Sequence, residues 1–341
     1  MGGRVGVAGS ALVVTAMIGG VGAMMPSVGA GAGAAQPAFA VTRGARIYLL
    51  GADGTILRRL RSALRISSDA SESPSWSPDG GRIVFSTPEA ERGRSVRVNN
   101  VDGSGERRLT ARSSLALSPR FSPDGGSIAF TTGNEETGVF AITVMRSDGT
   151  AARTLTRGVD FSPTWSPDGT KIAFTRLVPD RRQTPHAYVY AMNADGSGLR
   201  RLATEAQSPA WSPDGTRIAF ASNRNVDQRR CPEDICIFPG DIYVMNADGT
   251  GERRITHNSA DDAEPTWSPD GRQIAFSSDR SYQRGQESME LYAMDSNGAC
   301  IRRLTNTSAA TSEVTWRPSS EDVATDHCGG VFPPAQRPLA D

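Results

Sequence analysis

Short apolar runs alternate with turn-forming tetrapeptides along most of this chain. Residues 206–256 show the pattern most fully. An apolar-polar stretch ends at Trp211, Ser212-Pro213-Asp214-Gly215 follows, and Ile218-Ala219-Phe220 comes next. After a long polar connection stands Ile242-Tyr243-Val244-Met245, then Asp248-Gly249, then Arg253-Arg254-Ile255-Thr256. Runs this short, rich in β-branched and aromatic residues and bounded by Gly, Pro and Asp, predict strands. Proline presets φ for the first turn position, and glycine takes the left-handed conformation that returns the chain into a hairpin. Each such stretch is therefore expected to form a four-stranded antiparallel unit.

The pattern repeats. An aromatic followed by Ser-Pro-Asp-Gly occurs at Trp76, Phe121, Trp165, Trp211 and Trp267, and a degraded copy stands at Trp316-Arg317-Pro318-Ser319. Successive aromatics lie 45, 44, 46, 56 and 49 residues apart. That period suits the blade of a β-propeller. The third strand is apolar at consecutive positions, so both faces of its sheet are expected to be covered, as they are when blades stack around an axis. The fourth strand carries paired arginines, Arg107-Arg108, Arg200-Arg201, Arg253-Arg254 and Arg302-Arg303, which read as solvated charges protecting an outer edge.

The termini complete the count. Ile47–Leu50, Asp53-Gly54 and Leu57–Leu60 read as a third strand, a turn and a fourth strand with no partners before them. Trp316 and Val323-Ala324 read as a first and a second strand with none after them. The expected fold is an all-β, six-bladed propeller of four-stranded blades over residues 41–341, its last blade closed by N- and C-terminal strands.

The runs W-S-P-D-G-x-x-I-A-F, at Trp211–Phe220, and D-I-Y-V-M-N-x-D-G-x-G-x-R-R-I-T, at Asp241–Thr256, resemble the repeat of the TolB-like propellers. The resemblance covers roughly residues 45–325 and implies a six-bladed propeller with a binding role. TolB proteins also carry an α/β domain ahead of the propeller. Too few residues precede the first strand here to supply it, so only the fold and the binding role are carried over. Related propellers precede serine peptidase domains, for which the residues after Val323 are too few, and no G-x-S-x-G elbow occurs.

Composition changes this picture in two places. Basic and acidic residues balance at 37 each, which gives no field for nucleic acid. Arg4 followed by an uncharged apolar stretch from Val5 to Met25, then small residues ending in Ala38-Phe39-Ala40, has the form of a signal peptide over residues 1–40. An uncleaved anchor competes, because the stretch reaches about 20 residues. With cleavage the chain is secreted or periplasmic, not inserted in a membrane, and monomeric. Export makes disulfides the expected state of Cys231, Cys236, Cys300 and Cys328, with Cys231–Cys236 and Cys300–Cys328 preferred among three connectivities. Zinc competes poorly, since C-x4-C has no second ligand pair nearby.

Candidate chemistry is sparse. His186, His257 and His327 fall in separate loops, so neither a metal nor another cofactor is expected, and no catalytic residue is assigned. The N-x-D-G-x-G stretches invite a calcium reading but lack the distal glutamate of a calcium loop, and hairpin turns demand the same residues. The long connections Thr175–Tyr188, Ser222–Asp241 and Ser277–Glu290 contrast with the short turns at the other end of the repeat, and variable loops are where rigid scaffolds present function. Three residues before the aromatic, four copies have serine and the last two have Glu264 and Glu313. With Asp160 and Asp262 these acids are expected at a channel mouth, attracting cations or basic peptide segments. The expected function is a module binding protein, peptide or cell-wall glycan; a propeller enzyme such as a polysaccharide lyase or hydrolase is the alternative.

Overall fold

The computed structural model describes residues 37–43, 46–60, 73–89, 93–134, 137–225, 240–281, 289–306 and 311–318. These contain strands alone, β1 to β24 in chain order, and no helix. The apolar stretch Val5–Met25, the strand expected at Val323-Ala324, and Cys231, Cys236, Cys328 and His327 lie outside the described residues. Cys300 is disulfide-bonded.

Five antiparallel units follow the repeat: β4(Ser75–Trp76) to β7(Arg107–Arg108), β8(Leu115–Phe121) to β11(Arg153–Thr154), β12(Val159–Trp165) to β15(Arg200–Thr204), β16(Ala206–Trp211) to β19(Arg253–Arg254), and β20(Asp262–Trp267) to β23(Arg302–Arg303). Single parallel bridges, Arg94 with Leu115 and Phe140 with Val159, join the first three into one 12-stranded sheet. The remaining sheet runs β24(Thr311–Trp316), β1(Phe39–Arg43), β2(Ile47–Leu50), β3(Ile56–Arg59). It takes three strands from the N-terminal end and one from the C-terminal end. The second strand of this unit, expected at Val323-Ala324, is β1, which pairs Phe39 with Trp316 on one side and Leu50 on the other. Phe39 and Ala40, read from the sequence as the end of a leader, are fully buried strand residues. A cut after Ala40 would remove two of the four β1 residues that pair with β24, and the buried Phe39 ring with them.

The I-A-F triplet explains why the units need one another. In a strand, neighbouring residues face opposite sides. Ile274 and Phe276 pack on Ala219 and Ala221 of the preceding unit, while Ala275 receives Phe39 and Val41 of the following set. Large residues point back and a small one points forward. Phe39-Ala40-Val41 repeats the rule, with Ala40 packed beside Trp76, Ile83 and Phe85 of the first unit. Six buried clusters form among the described residues, and each straddles two units. Burying one such phenylalanine contributes about 1.5–3 kcal/mol, which a lone unit would forgo.

Polar ties follow the same interfaces. Indole Nε1 atoms donate to the carbonyl of the residue before the preceding unit's aromatic: Trp76 to Thr315, Trp165 to Arg120, Trp267 to Ala210 and Trp316 to Thr266, at 3.1–3.3 Å. The outer-strand arginines are not merely solvated charges. Arg107, Arg153, Arg200 and Arg253 donate to turn carbonyls of the next unit, at Asp148, Asp195, Ala247 and Asn297. Arg58 of β3 reaches Val101 in the same way. Gly54, at φ 82°, stands so close to the Leu304 carbonyl that a Cβ would lie 1.8 Å from it. The N-x-D-G-x-G turns are self-satisfied: Asp195 accepts from the Ser197 N–H and hydroxyl at 2.8 and 2.6 Å, and Asp248 holds Thr250 likewise.

Two predictions test this packing. A chain starting at Val41 is expected to lose cooperative thermal unfolding, whereas one starting at Gln36 keeps it; equal melting of the two would show that Phe39 and Ala40 contribute nothing. Trp267→Phe should cost about 1 kcal/mol in chemical denaturation for the lost indole bond. Trp211→Phe should cost less, because Trp211 Nε1 has no partner among the described residues. Reversal of that order would refute the role given to the indole bond.

Candidate functional site

The first strands of the units, with β24, contact one another in order: β4 with β8, β8 with β12, β12 with β16, β16 with β20, β20 with β24, and β24 with β4. Four of them carry a register shift just before the aromatic, as between Gln207 and Ala210. At that position every copy has a non-glycine residue with positive φ: Ser73, Ser118, Ser162, Ser208, Glu264 and Glu313, at 40–53°. Side chains rarely adopt this region, and the strain persists only where surrounding structure imposes it. The bulge turns these six side chains into one cavity of about 180 Å³. Thr164, Ala210, Thr266 and Thr315 line it beside them.

Glu264 and Glu313 are thus brought together. Glu264 accepts the Glu313 backbone N–H at 2.5 Å. Glu313 accepts from the Ser73 N–H at 2.6 Å, from the Thr42 hydroxyl at 3.1 Å and from the Ser73 hydroxyl. Burial, and next the charge of Glu313, push the Glu264 carboxyl up to about 7. Arg120 enters the same cavity from β8, donating to the Pro119 carbonyl at 2.9 Å and the Ser73 carbonyl at 3.3 Å. Burial lowers its pKa, and Glu313 and Glu264 oppose that shift. Sequence reasoning missed Arg120. The signal was present: the residue before the aromatic is small in the other copies, Ser75, Thr164, Ala210, Thr266 and Thr315.

Asp160 and Asp262 are elsewhere. Both are fully buried and neither lines the cavity. Arg176 grips Asp160 through Nε and Nη2 at 2.6 and 2.8 Å, and Arg280 Nη2 holds both oxygens of Asp262 at 2.8 and 2.9 Å. The two guanidinium groups also lie over cross-strand rings, Phe174 with Tyr190 and Phe276 with Tyr292. An aspartate so paired braces the base of a long hairpin, and opening the pair to a ligand would strand a buried charge. Of the long connections, residues 175–188 are described in full and continue the β13(Lys171–Pro179) and β14(Pro185–Asn193) hairpin. His186 lies there, 2.8 Å from Glu205, whose hydrogen bond raises the imidazole pKa.

These features can be set against known proteins. The sequence matches the family described as the TolB beta propeller domain over residues 87–229 and 239–328, more than half of the chain. The chain belongs to the TolB β-propeller family. Among solved structures, TolB from Acinetobacter baumannii is 21% identical with a TM-score of 0.65, the match covering 84% of this chain and 68% of that one. The putative TolB from Agrobacterium tumefaciens is 22% identical with a TM-score of 0.60, over 80% of this chain and 91% of that one. Hydrazine synthase from Kuenenia stuttgartiensis reaches a TM-score of 0.64 at 15% identity, over 83% of this chain and 47% of that one. At these identities the likeness concerns fold alone, and an all-β TolB-like propeller accounts for the repeated units.

The raised Glu264 gives a signed prediction. Its carboxyl keeps a proton in the folded protein at pH values where the unfolded chain has lost it. That contribution to stability is present below the usual glutamate pKa and is lost as pH rises toward 7. Glu264→Gln should therefore gain on wild type between pH 5 and 8, by on the order of 1–3 kcal/mol. Parallel stability-pH curves for the two proteins, from chemical denaturation, would refute the assignment.

Proposed function

We propose that this TolB-family chain is an exported binding module, acting at the cell envelope or outside the cell, that captures a protein or peptide partner at the cavity of Glu264 and Glu313. In this reading the six units close as a six-bladed ring with β24 and β1 as the clasp, and the cavity lies where their first strands meet. The observation that carries it is the convergence of six equivalent strained positions on one polar cavity in which two acids face a single arginine. Family membership supports a binding role, and the apolar leader together with the TolB relatives supports an envelope location. Ser118, Ser162 and Ser208 add hydroxyls to the wall, and a rigid sheet scaffold keeps them in place without a cost of ordering on binding.

Selection from a random-peptide display library on the immobilised protein tests this. Enriched peptides should bind wild type and lose at least about tenfold, roughly 1.4 kcal/mol, when Thr164→Trp or Ala210→Trp fills the cavity with little change in melting temperature. No enrichment, or equal binding by both filled variants, would overturn the reading.

A further inference from the structure

The charge content of the cavity says more about what it accepts. Two carboxylates, Glu264 and Glu313, share it with one guanidinium, Arg120. With both acids ionised, these three groups sum to one negative charge. A single positive charge balances the site, while a divalent cation would overshoot it and meet the repulsion of Arg120. A hard dication also needs six to eight oxygens, and Glu313 already spends its oxygens on Ser73 and Thr42.

The hydrogen-bonding inventory points the same way. The hydroxyls of Ser162 and Ser208 line the cavity and have no hydrogen-bond partner among the described residues. Ser118 makes only a 3.5 Å contact with Ser73. Each hydroxyl can accept a proton from a ligand. An ammonium group carries three N–H donors and no acceptor, and so matches a wall of hydroxyl and carboxylate oxygens. A volume of about 180 Å³ fits the end of one long side chain but not a folded segment.

Resting on the binding-module reading above, we infer that the cavity takes one primary ammonium group, the end of a lysine side chain from a peptide partner, held by Glu264 and by the Ser162 and Ser208 hydroxyls. Binding then displaces the proton that Glu264 carries in the empty site. The charged groups facing Glu264 are Glu313 on β24 and Arg120 on β8.

The test uses two capped pentapeptides, Gly-Gly-Lys-Gly-Gly and its norleucine analogue, titrated into wild type and into Glu264→Gln. Lysine should bind wild type at least about tenfold more tightly than norleucine, and Glu264→Gln should erase that preference while melting as a folded protein. Wild-type affinity for the lysine peptide should rise about tenfold from pH 6 to pH 8, the factor expected for a competing proton with a pKa of about 7. Millimolar Ca²⁺ should leave the affinity unchanged. Equal binding of lysine and norleucine peptides, a preference that survives Glu264→Gln, or competition by Ca²⁺ would each overturn the ammonium assignment. If library peptides still require the open cavity, such a failure leaves the binding module standing. If cavity-filled variants capture them as well as wild type does, both readings fall.

Discussion

The structure depends on the fact that no unit can bury both of its faces alone. A four-stranded sheet with large residues on one side and an alanine on the other is stable only between two neighbours. The Ile-Ala-Phe triplet is that requirement written in three residues: Ile172 and Phe174 seek a neighbour's Ala129, and Ala173 leaves room for Ile218 and Phe220. The rule has a direction within the triplet, whose isoleucine and phenylalanine point toward the preceding unit, as Ile218 and Phe220 do toward Ala173. Because Phe39-Ala40-Val41 obeys it at one end and Ala275 accepts Phe39 at the other, the N-terminal strand is a structural part rather than a leader remnant.

Directional polar ties reinforce the same order. Tryptophan Nε1 atoms reach back to the preceding unit, while arginines of the outer strand reach forward to the next turn. An isolated exposed arginine-carbonyl bond contributes little. Repeated at successive interfaces, and set beside glycines that allow the turn to touch the neighbouring strand, these bonds fix how far each unit rotates relative to the last. In the pair Arg253-Arg254 the first crosses to the next unit and the second turns inward toward Asp241 at 2.7 Å, and Arg303 turns likewise toward Glu290 at 3.1 Å.

Most of the architecture was legible because it is local. Ser-Pro-Asp-Gly specifies its turn through bonds within five residues: Ser166 donates to Asp168 and accepts from the Lys171 N–H. What the sequence hid was non-local. The residues Ala38-Phe39-Ala40 satisfy a cleavage pattern and a strand pattern at once, and only the partner strand β24, some 270 positions away, decides between them. The acids divided for a similar reason. Asp160 and Asp262 are followed 16 and 18 residues later by Arg176 and Arg280, a separation that hides pairing across a hairpin. Glu264 and Glu313 line one cavity because their register relative to the aromatic is set by the repeat itself.

The remaining step concerns why two neighbouring acids are tolerated there. The bulge holds six backbones in one left-handed conformation whatever the side chain, so the position is free to vary while its direction is fixed. Serine is the low-cost occupant, and glutamate twice in adjacent units is the expensive one. Glu313 is accommodated by donors from Thr42, in β1, and Ser73, just ahead of β4. Glu264 has the Glu313 N–H instead, and its raised pKa is the remaining cost. The acids therefore sit at the one place where strands from both ends of the chain supply donors. A chain that failed to dock β1 would lose the pairing with β24 and, with it, the Thr42 hydroxyl that Glu313 accepts.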